Sequence, residues 1–150
     1  MDVGIYVVQA FCYATGMEPI AVTAREGVKT DHEKFKTVEQ SLTWQFEMPN
    51  GIIAEGESDY SRNMNFLRVE AENGWFELPS AYNYTGQRGR TSNGEMKFPH
   101  INQQAAQMDD FAQCVKNKKP SRVPGEMGLR DVRILQAIYE AARSGERVVL

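Results

Sequence analysis

The stretch Gln40-Ser41-Leu42-Thr43-Trp44-Gln45-Phe46-Glu47-Met48-Pro49-Asn50-Gly51 alternates polar and apolar side chains from 41 to 48 and then meets a turn. A period of two places Leu42, Trp44, Phe46 and Met48 on one face of a strand over 40–48, with Ser41, Thr43, Gln45 and Glu47 on the other. Asn50 and Gly51 tolerate the positive φ angles of a tight reversal, so the chain is expected to return as a second strand over about 52–60. The pattern recurs downstream. Asn73-Gly74 separates a strand at about 66–71 from Trp75-Phe76-Glu77-Leu78, and Asn93-Gly94 lies between strands at 82–84 and 96–98. Three Asn-Gly turns between alternating runs predict an antiparallel meander. Upstream, 18–26 reads as a strand with Ile20, Val22 and Ala24 on one face, and the charged stretch 27–37 as a surface loop.

Both ends of the chain carry helical spacing. Val3, Tyr6, Val7, Ala10, Phe11 and Ala14 predict a helix over 2–15, with Asp2 as its N-cap and Gly16 as its stop. This helix is apolar on most sides and is expected to be well buried. Chain starts are usually polar, so it is expected to continue from a preceding segment. Asn102 is placed to cap a helix over 103–117, with Met108, Phe111, Ala112 and Val115 on one face and Pro120 beyond its end. A last helix over 126–144 shows the stripe Leu129, Val132, Leu135, Ile138, Tyr139 and Ala142, and 148–150 reads as a short final strand. The order helix, antiparallel strands, two helices predicts an α+β fold: an open, mainly antiparallel sheet with helices packed on one face and the other face available for oligomerisation.

Composition narrows the function. The chain has 150 residues, 41% hydrophobic and 25% charged, which suits one soluble domain. Its net charge of −3 comes without a basic stripe, which argues against nucleic acid as a partner. No apolar run approaches the ~20 residues of a membrane span, and Met1-Asp2-Val3-Gly4 lacks the features of a signal peptide. Cys12 and Cys114 each fall in a helical pattern and are expected to be buried free thiols, in keeping with a cytoplasmic location. There is no Gly-x-Gly-x-x-Gly after a strand, no phosphate loop and no zinc-ligand spacing, so neither cofactor nor metal is expected on this chain by itself.

Few residues carry a chemical signal. Asp2 and Tyr6 stand four apart on the first predicted helix and so share a face. A tyrosine hydroxyl can pass a proton to or from a carbinol, and a carboxylate beside it can orient a hydroxyl. From spacing alone, an N-cap aspartate and a core tyrosine remain the simpler reading. Tyr60-Ser61-Arg62-Asn63 is a polar cluster at a strand end, suited to a polyol or to a solvated turn. Gln87-Arg88-Gly89-Arg90 reads better as an exposed hairpin loop than as a phosphate site. His100, after Pro99, faces either a pocket or solvent.

From Asp2-Val3-Gly4-Ile5-Tyr6 onward the sequence resembles the C-terminal domain of the glucose–fructose oxidoreductase/inositol dehydrogenase family, the glucose–fructose type most nearly. The resemblance continues through Glu18-Pro19-Ile20, Trp44-Gln45, Gln107-x-Asp109 and Asn117-Lys118-Lys119-Pro120. Its most specific part is the block Pro124-Gly125-Glu126-Met127-Gly128-Leu129-Arg130-Asp131-Val132-Arg133, which runs on through Gln136-Ala137-Ile138-Tyr139-Glu140-Ala141-Ala142-Arg143-Ser144-Gly145. The resemblance implies that residues 1–150 form one substrate and oligomerisation domain of an NAD- or NADP-dependent sugar or polyol oxidoreductase, with the N-terminal Rossmann cofactor domain absent. It makes Asp2 and Tyr6 active-site residues, Tyr6 as proton donor and acceptor. It associates Tyr60, Arg62 and Asn63 loosely with substrate, with His100 as a further candidate. It also implies a homo-oligomer formed through the open sheet face. The family's catalytic lysine and glycine loop belong to the other domain, so this chain alone is expected to be inactive. The alternative is a stand-alone, non-catalytic ligand-binding or dimerisation module.

Overall fold

A computed structural model describes all residues 1–150. In chain order the elements are α1 (Gly4–Thr15), β1 (Ala21–Glu26), β2 (Ser41–Glu47), β3 (Ile53–Asp59), β4 (Leu67–Ala71), β5 (Gly74–Leu78), β6 (Gly89–Thr91), β7 (Gly94–Met96), α2 (Gln103–Asn117), α3 (Gly125–Ser144) and β8 (Val148–Val149). They form two compact units, Met1–Met64 with Glu126–Leu150, and Asn65–Gly125. Every strand pairing is antiparallel, and the strands fall into two four-stranded ladders, β3-β2-β1-β8 and β4-β5-β6-β7.

In the first unit, β2 supplies the floor of the core. Leu42, Trp44, Phe46 and Met48 are all buried, as their alternation requires. Val22 of β1 stands opposite Phe46, and Gly56 of β3 opposite Trp44. A Cβ at Gly56 would overlap the Trp44 indole, so glycine here is what lets the ring lie directly on the neighbouring strand. Val8 and Cys12 of α1, and Ile134, Ala137, Ile138 and Ala141 of α3, complete the same core. Phe11 meets Phe46 edge to face, with ring centroids 5.8 Å apart. The opposite face of this sheet carries Thr23, Arg25, Thr43, Gln45, Glu55 and Glu57, with Ile53 as its exposed apolar member.

Several local expectations are corrected. The first helix starts at Gly4 with Val3 at its N-cap position, and Asp2 caps nothing. Gly16 does end it, at φ 66°, donating its N–H to Cys12 O. Ile20 is exposed because β1 begins only at Ala21, and the buried pair is Ala21 with Val22. The loop 27–37 buries Phe35, which lies 6.0 Å from the ring of Tyr60. The loop is pinned by buried Gln40, whose Oε1 accepts from the N–H of Thr30 (2.8 Å) and Asp31 (3.3 Å). The stripe of α3 is rotated from the one the spacing suggests. Leu129 and Val132 are exposed, and the buried face runs Asp131, Ile134, Ala137, Ile138, Ala141. A periodicity reading leaves a carboxylate out of a core stripe, but here buried Asp131 has polar partners: Gln9 Nε2 donates to Oδ2, and Arg130 Nη2 to Oδ1 at 2.7 Å.

The second unit is a four-strand meander with α2. The two-residue reversals at Asn73 and Asn93 occur as expected, each followed by a positive-φ glycine. Residues 82–84 are not a strand. They belong to a loop in which Asn65 Oδ1 accepts from Tyr82 N–H at 2.8 Å and Asn65 Nδ2 donates to Asn83 Oδ1 at 2.5 Å. On one sheet face the Arg68 guanidinium lies 4.8 Å from the Trp75 ring and pairs with Glu70 and Glu77. Asn102 caps α2 as expected, its Oδ1 accepting from Ala105 N–H at 3.0 Å. The expected apolar face of α2 is present but not covered: Met108, Phe111 and Val115 are all exposed. Cys114 is only partly buried, against expectation, because α2 buries none of its residues; Cys12 is buried, and both cysteines are free.

The turn after β3 is held by charge. Asp59 Oδ1 accepts from the hydroxyl (2.5 Å) and backbone N–H (2.7 Å) of Ser61, and Oδ2 from Arg62 Nε at 2.7 Å. The Ser61 hydroxyl, then the Arg62 guanidinium, bring the Asp59 carboxyl down to about 2. Its folded pKa lies below the unfolded ~3.9, so this turn contributes its stability above that value and loses it as pH falls through about 2. A carboxyl NMR titration should find Asp59 with a midpoint near 2, moving up in Ser61→Ala; a native midpoint at the unperturbed value would mean that the turn is open in solution. In the core, Trp44→Ala should cost ~3–5 kcal/mol in urea denaturation. Gly56→Ala should also lower the midpoint, since its methyl can enter only by displacing the indole.

Candidate functional site

The start of α1 gathers the polar groups of interest. Gly4, the first helical residue, is buried, and a Cβ there would overlap the Met1 side chain and approach Trp44 Cη2 to 3.5 Å. Glycine thus leaves the Met1 side chain its place at the start of the helix. Asp2 is exposed, and its backbone N–H donates to Tyr60 Oη at 3.1 Å. Tyr6 lies one turn into the helix with its side chain 51% exposed, and its N–H bonds Val3 O at 3.3 Å. Asp2 and Tyr6 therefore stand at the solvent side of a helix whose other side is core. A phenol and a carboxylate in such a place can meet a hydroxylated ligand without being dug out of the protein.

Tyr60 is brought to Asp2, as a group that fixes the backbone at the entry of α1. Its ring is braced by Phe35, and its own N–H bonds Gln40 O at 3.0 Å. Behind it lies a pair that pattern reading did not single out. Tyr139 of α3 donates its hydroxyl to Glu39 Oε1 at 2.8 Å, and the Met1 amino group contacts both. Glu39 is buried, which pushes its pKa up, and the Tyr139 hydroxyl followed by a backbone hydrogen bond lead the contacts that hold it below the usual range. Burial, and then the Glu39 carboxylate, raise the pKa of Tyr139. A phenol so raised keeps its proton and serves as a donor to Glu39. Tyr139 sits in the apolar stripe that the spacing of α3 suggests, so its sequence context hides the polar role; Glu39 has no sequence signal beyond its place before β2.

The remaining candidates are less close to such a role. Arg62 is turned back onto β3, paired with Asp59 and Glu57, so its charge is already met. Asn63 is exposed, one residue before Met64, where the first segment of the first unit ends. His100 belongs to the second unit, exposed on the segment between β7 and α2. Arg90 is paired with Glu77 across the β5–β6 ladder, which leaves Gln87-Arg88-Gly89-Arg90 as a hairpin and not a phosphate cradle. No group of three or more histidine, cysteine or acidic side chains is arranged to hold a metal ion, and no helix is long and apolar enough to cross a membrane.

Comparison with known proteins gives this geometry a family. Among solved structures, the aldose-aldose oxidoreductase from Caulobacter crescentus, complexed with glycerol, is 38% identical and superposes with a TM-score of 0.94 over 100% of this chain and 47% of its own. The myo-inositol 2-dehydrogenase from Lactobacillus plantarum, at 18% identity, shares the fold with a TM-score of 0.72 over 99% of this chain and 47% of its own. A curated relative, D-xylose 1-dehydrogenase (NADP(+)) from Haloarcula marismortui, is 24% identical over 157 residues, covering 100% of this chain and 43% of the relative. The chain thus spans about half the length of the proteins it matches. Residues 1–150 match the family model described as the oxidoreductase family, C-terminal alpha/beta domain, and the chain belongs to that family.

Proposed function

We propose that residues 1–150 are the single substrate-side domain of an NAD- or NADP-dependent oxidoreductase acting on a sugar or polyol carbinol. The observation that carries this is the half-exposed Tyr6 phenol, one turn after Asp2, at the head of a helix seated on Trp44, in a chain matched along its whole length by an oxidoreductase family. The names of its relatives support the substrate class: one is an aldose-aldose oxidoreductase, another a D-xylose dehydrogenase with NADP(+). In this reading the Tyr6 phenol gives its proton to the substrate's carbonyl oxygen as hydride reaches the carbonyl carbon, leaving a phenolate; in the oxidative direction that phenolate oxygen takes the hydroxyl proton back as the carbinol carbon loses hydride to the nicotinamide. Asp2 orients the same hydroxyl or its neighbour. Tyr60 acts mainly by holding Asp2, Arg62 and Asn63 are assigned to the periphery of the substrate site, and His100, in the other unit, stays a separate substrate-binding candidate.

The nicotinamide supplies the hydride acceptor when bound. The sheets of this chain are antiparallel throughout and lack the strand–crossover–strand unit that aims a helix N-terminus at a pyrophosphate. Cofactor binding is therefore assigned to an N-terminal Rossmann domain outside these residues, and the isolated chain is expected to be inactive. Homo-oligomerisation through the open sheet face belongs to the same proposal, along with a cytoplasmic location. The sheet face of the first unit that would take part is largely polar, so salt should weaken such an assembly.

Full-length enzyme assayed on D-xylose, D-glucose and myo-inositol with NAD and NADP should reduce the nicotinamide with at least one of them. Tyr6→Phe should lower kcat by ~10²–10⁴-fold, the range for losing a general acid or base, while Tyr6→His should keep part of the activity. Near-normal turnover in Tyr6→Phe would sink the assigned role.

A further inference from the structure

The most specific block of the sequence, around Arg130-Asp131, has no part in the chemistry proposed above. Its geometry gives it one. Asp131 is 2% exposed on the core face of α3, between the helix and α1. A buried carboxylate is costly unless its oxygens are met, and both are met. Oδ1 takes Arg130 Nε (2.9 Å) and Nη2 (2.7 Å); Oδ2 takes the side-chain amide of Gln9 on α1. Arg130 also reaches Glu18, just past the end of α1, at 3.6 Å. One carboxylate thus ties the middle of α1 directly, and the segment that follows it through Arg130.

α1 needs such a tie. From Gly4 to Ala14 its side chains are Ile, Tyr, Val, Val, Gln, Ala, Phe, Cys, Tyr and Ala after the glycine, and Gln9 is the one amide among them. A helix apolar on most sides can bury similar area at several rotations about its axis, because apolar contact is non-directional. A hydrogen bond to a fixed, buried acceptor is directional and selects one. Gln9 is three residues, less than one turn, from Tyr6. Side-chain tips lie ~5–6 Å from a helix axis, so ~10° of rotation moves a tip by about 1 Å, and a displacement of that size at a reacting group can cost ~10²-fold in rate.

We propose that Asp131 and Gln9 are positioning residues that set the rotation of α1 and, through it, the place of the Tyr6 hydroxyl. The inference rests on the reading of Tyr6 as the proton-handling residue. In full-length enzyme, Gln9→Met keeps the size of the side chain and removes the donor. It should lower kcat at least ten-fold with substrate KM changed less than two-fold. Asp131→Leu should do the same, and Asp131→Asn, which still offers Gln9 an acceptor, should recover most of the loss. In a Tyr6→Phe background Gln9→Met should change the rate less than two-fold, since the group it positions is gone. An equal fractional loss in both backgrounds, or no loss in the native one, overturns the inference.

A readout free of catalysis separates the two readings. Fluorotyrosine placed at position 6 should give one fluorine resonance in the native protein and in Asp131→Asn, and a shifted or split one in Gln9→Met. An unmoved single resonance in Gln9→Met overturns the positioning role whatever the rates are. A split resonance together with normal turnover in Tyr6→Phe leaves the pin standing and removes the assignment of Tyr6.

Discussion

The first unit depends on one contact, the Trp44 indole set against Gly56, where a Cβ would overlap it. It closes the β2–β3 ladder against α1, because the far edge of the same ring reaches toward Gly4, where the helix begins. The strand glycine, Gly56, thus makes room for the indole, and the helix-start glycine, Gly4, for the Met1 side chain beside it. Leu42, Phe46 and Met48 extend the same row and meet Val8, Cys12 and the buried residues of α3. Dense packing of this kind leaves the helix little freedom to lift, so the entry of α1, with Asp2 and Tyr6 on it, inherits the rigidity of the sheet.

Apolar packing sets depth, but it leaves direction to polar contacts. Around α1 these come from four places: Tyr60 on the backbone of Asp2, Glu39 with Tyr139 beside Met1, Gln9 on Asp131, and Arg130 on Glu18. Each is buried or braced on one side, and each links segments far apart in the chain. Their combined effect is a helix fixed at its start, its middle and just past its end. A hydroxyl presented from such a helix is preorganised, the condition under which a general acid or base works best.

Much of this was legible in the chain. The alternation of 41–48 announced a strand and named its buried face, and the turn residues Asn50, Gly74 and Gly94 announced antiparallel returns. The caps at Asn102 and Gly16 marked helix ends. Each of these signals is local, resting on a side-chain period or on a φ angle that few residues accept. Asp2 was misread as a cap because aspartate beside a helical pattern usually caps it, whereas the helix begins two residues later, at Gly4. The stripe of α3 was misread by one position because nothing local says that Asp131 will find Gln9. Residues 82–84 read as strand because two tyrosines favour it, but bonds from Asn65 hold them in a loop.

By itself, then, the sequence determined the class of fold, the antiparallel direction of its strands, the buried row of β2 and the family to which the chain belongs, while the division of the strands into two ladders came from the tertiary structure. Tertiary structure alone decided which face of α3 is core, that Tyr60 holds the backbone of Asp2, that Arg62 is spent on Asp59 and Glu57, and that Glu39 and Tyr139 form a pair. The division has a physical cause. Period and turn chemistry act over a few residues, whereas a buried polar group is allowed only where a partner from elsewhere in the chain meets it, and that partner is known only once the chain has folded.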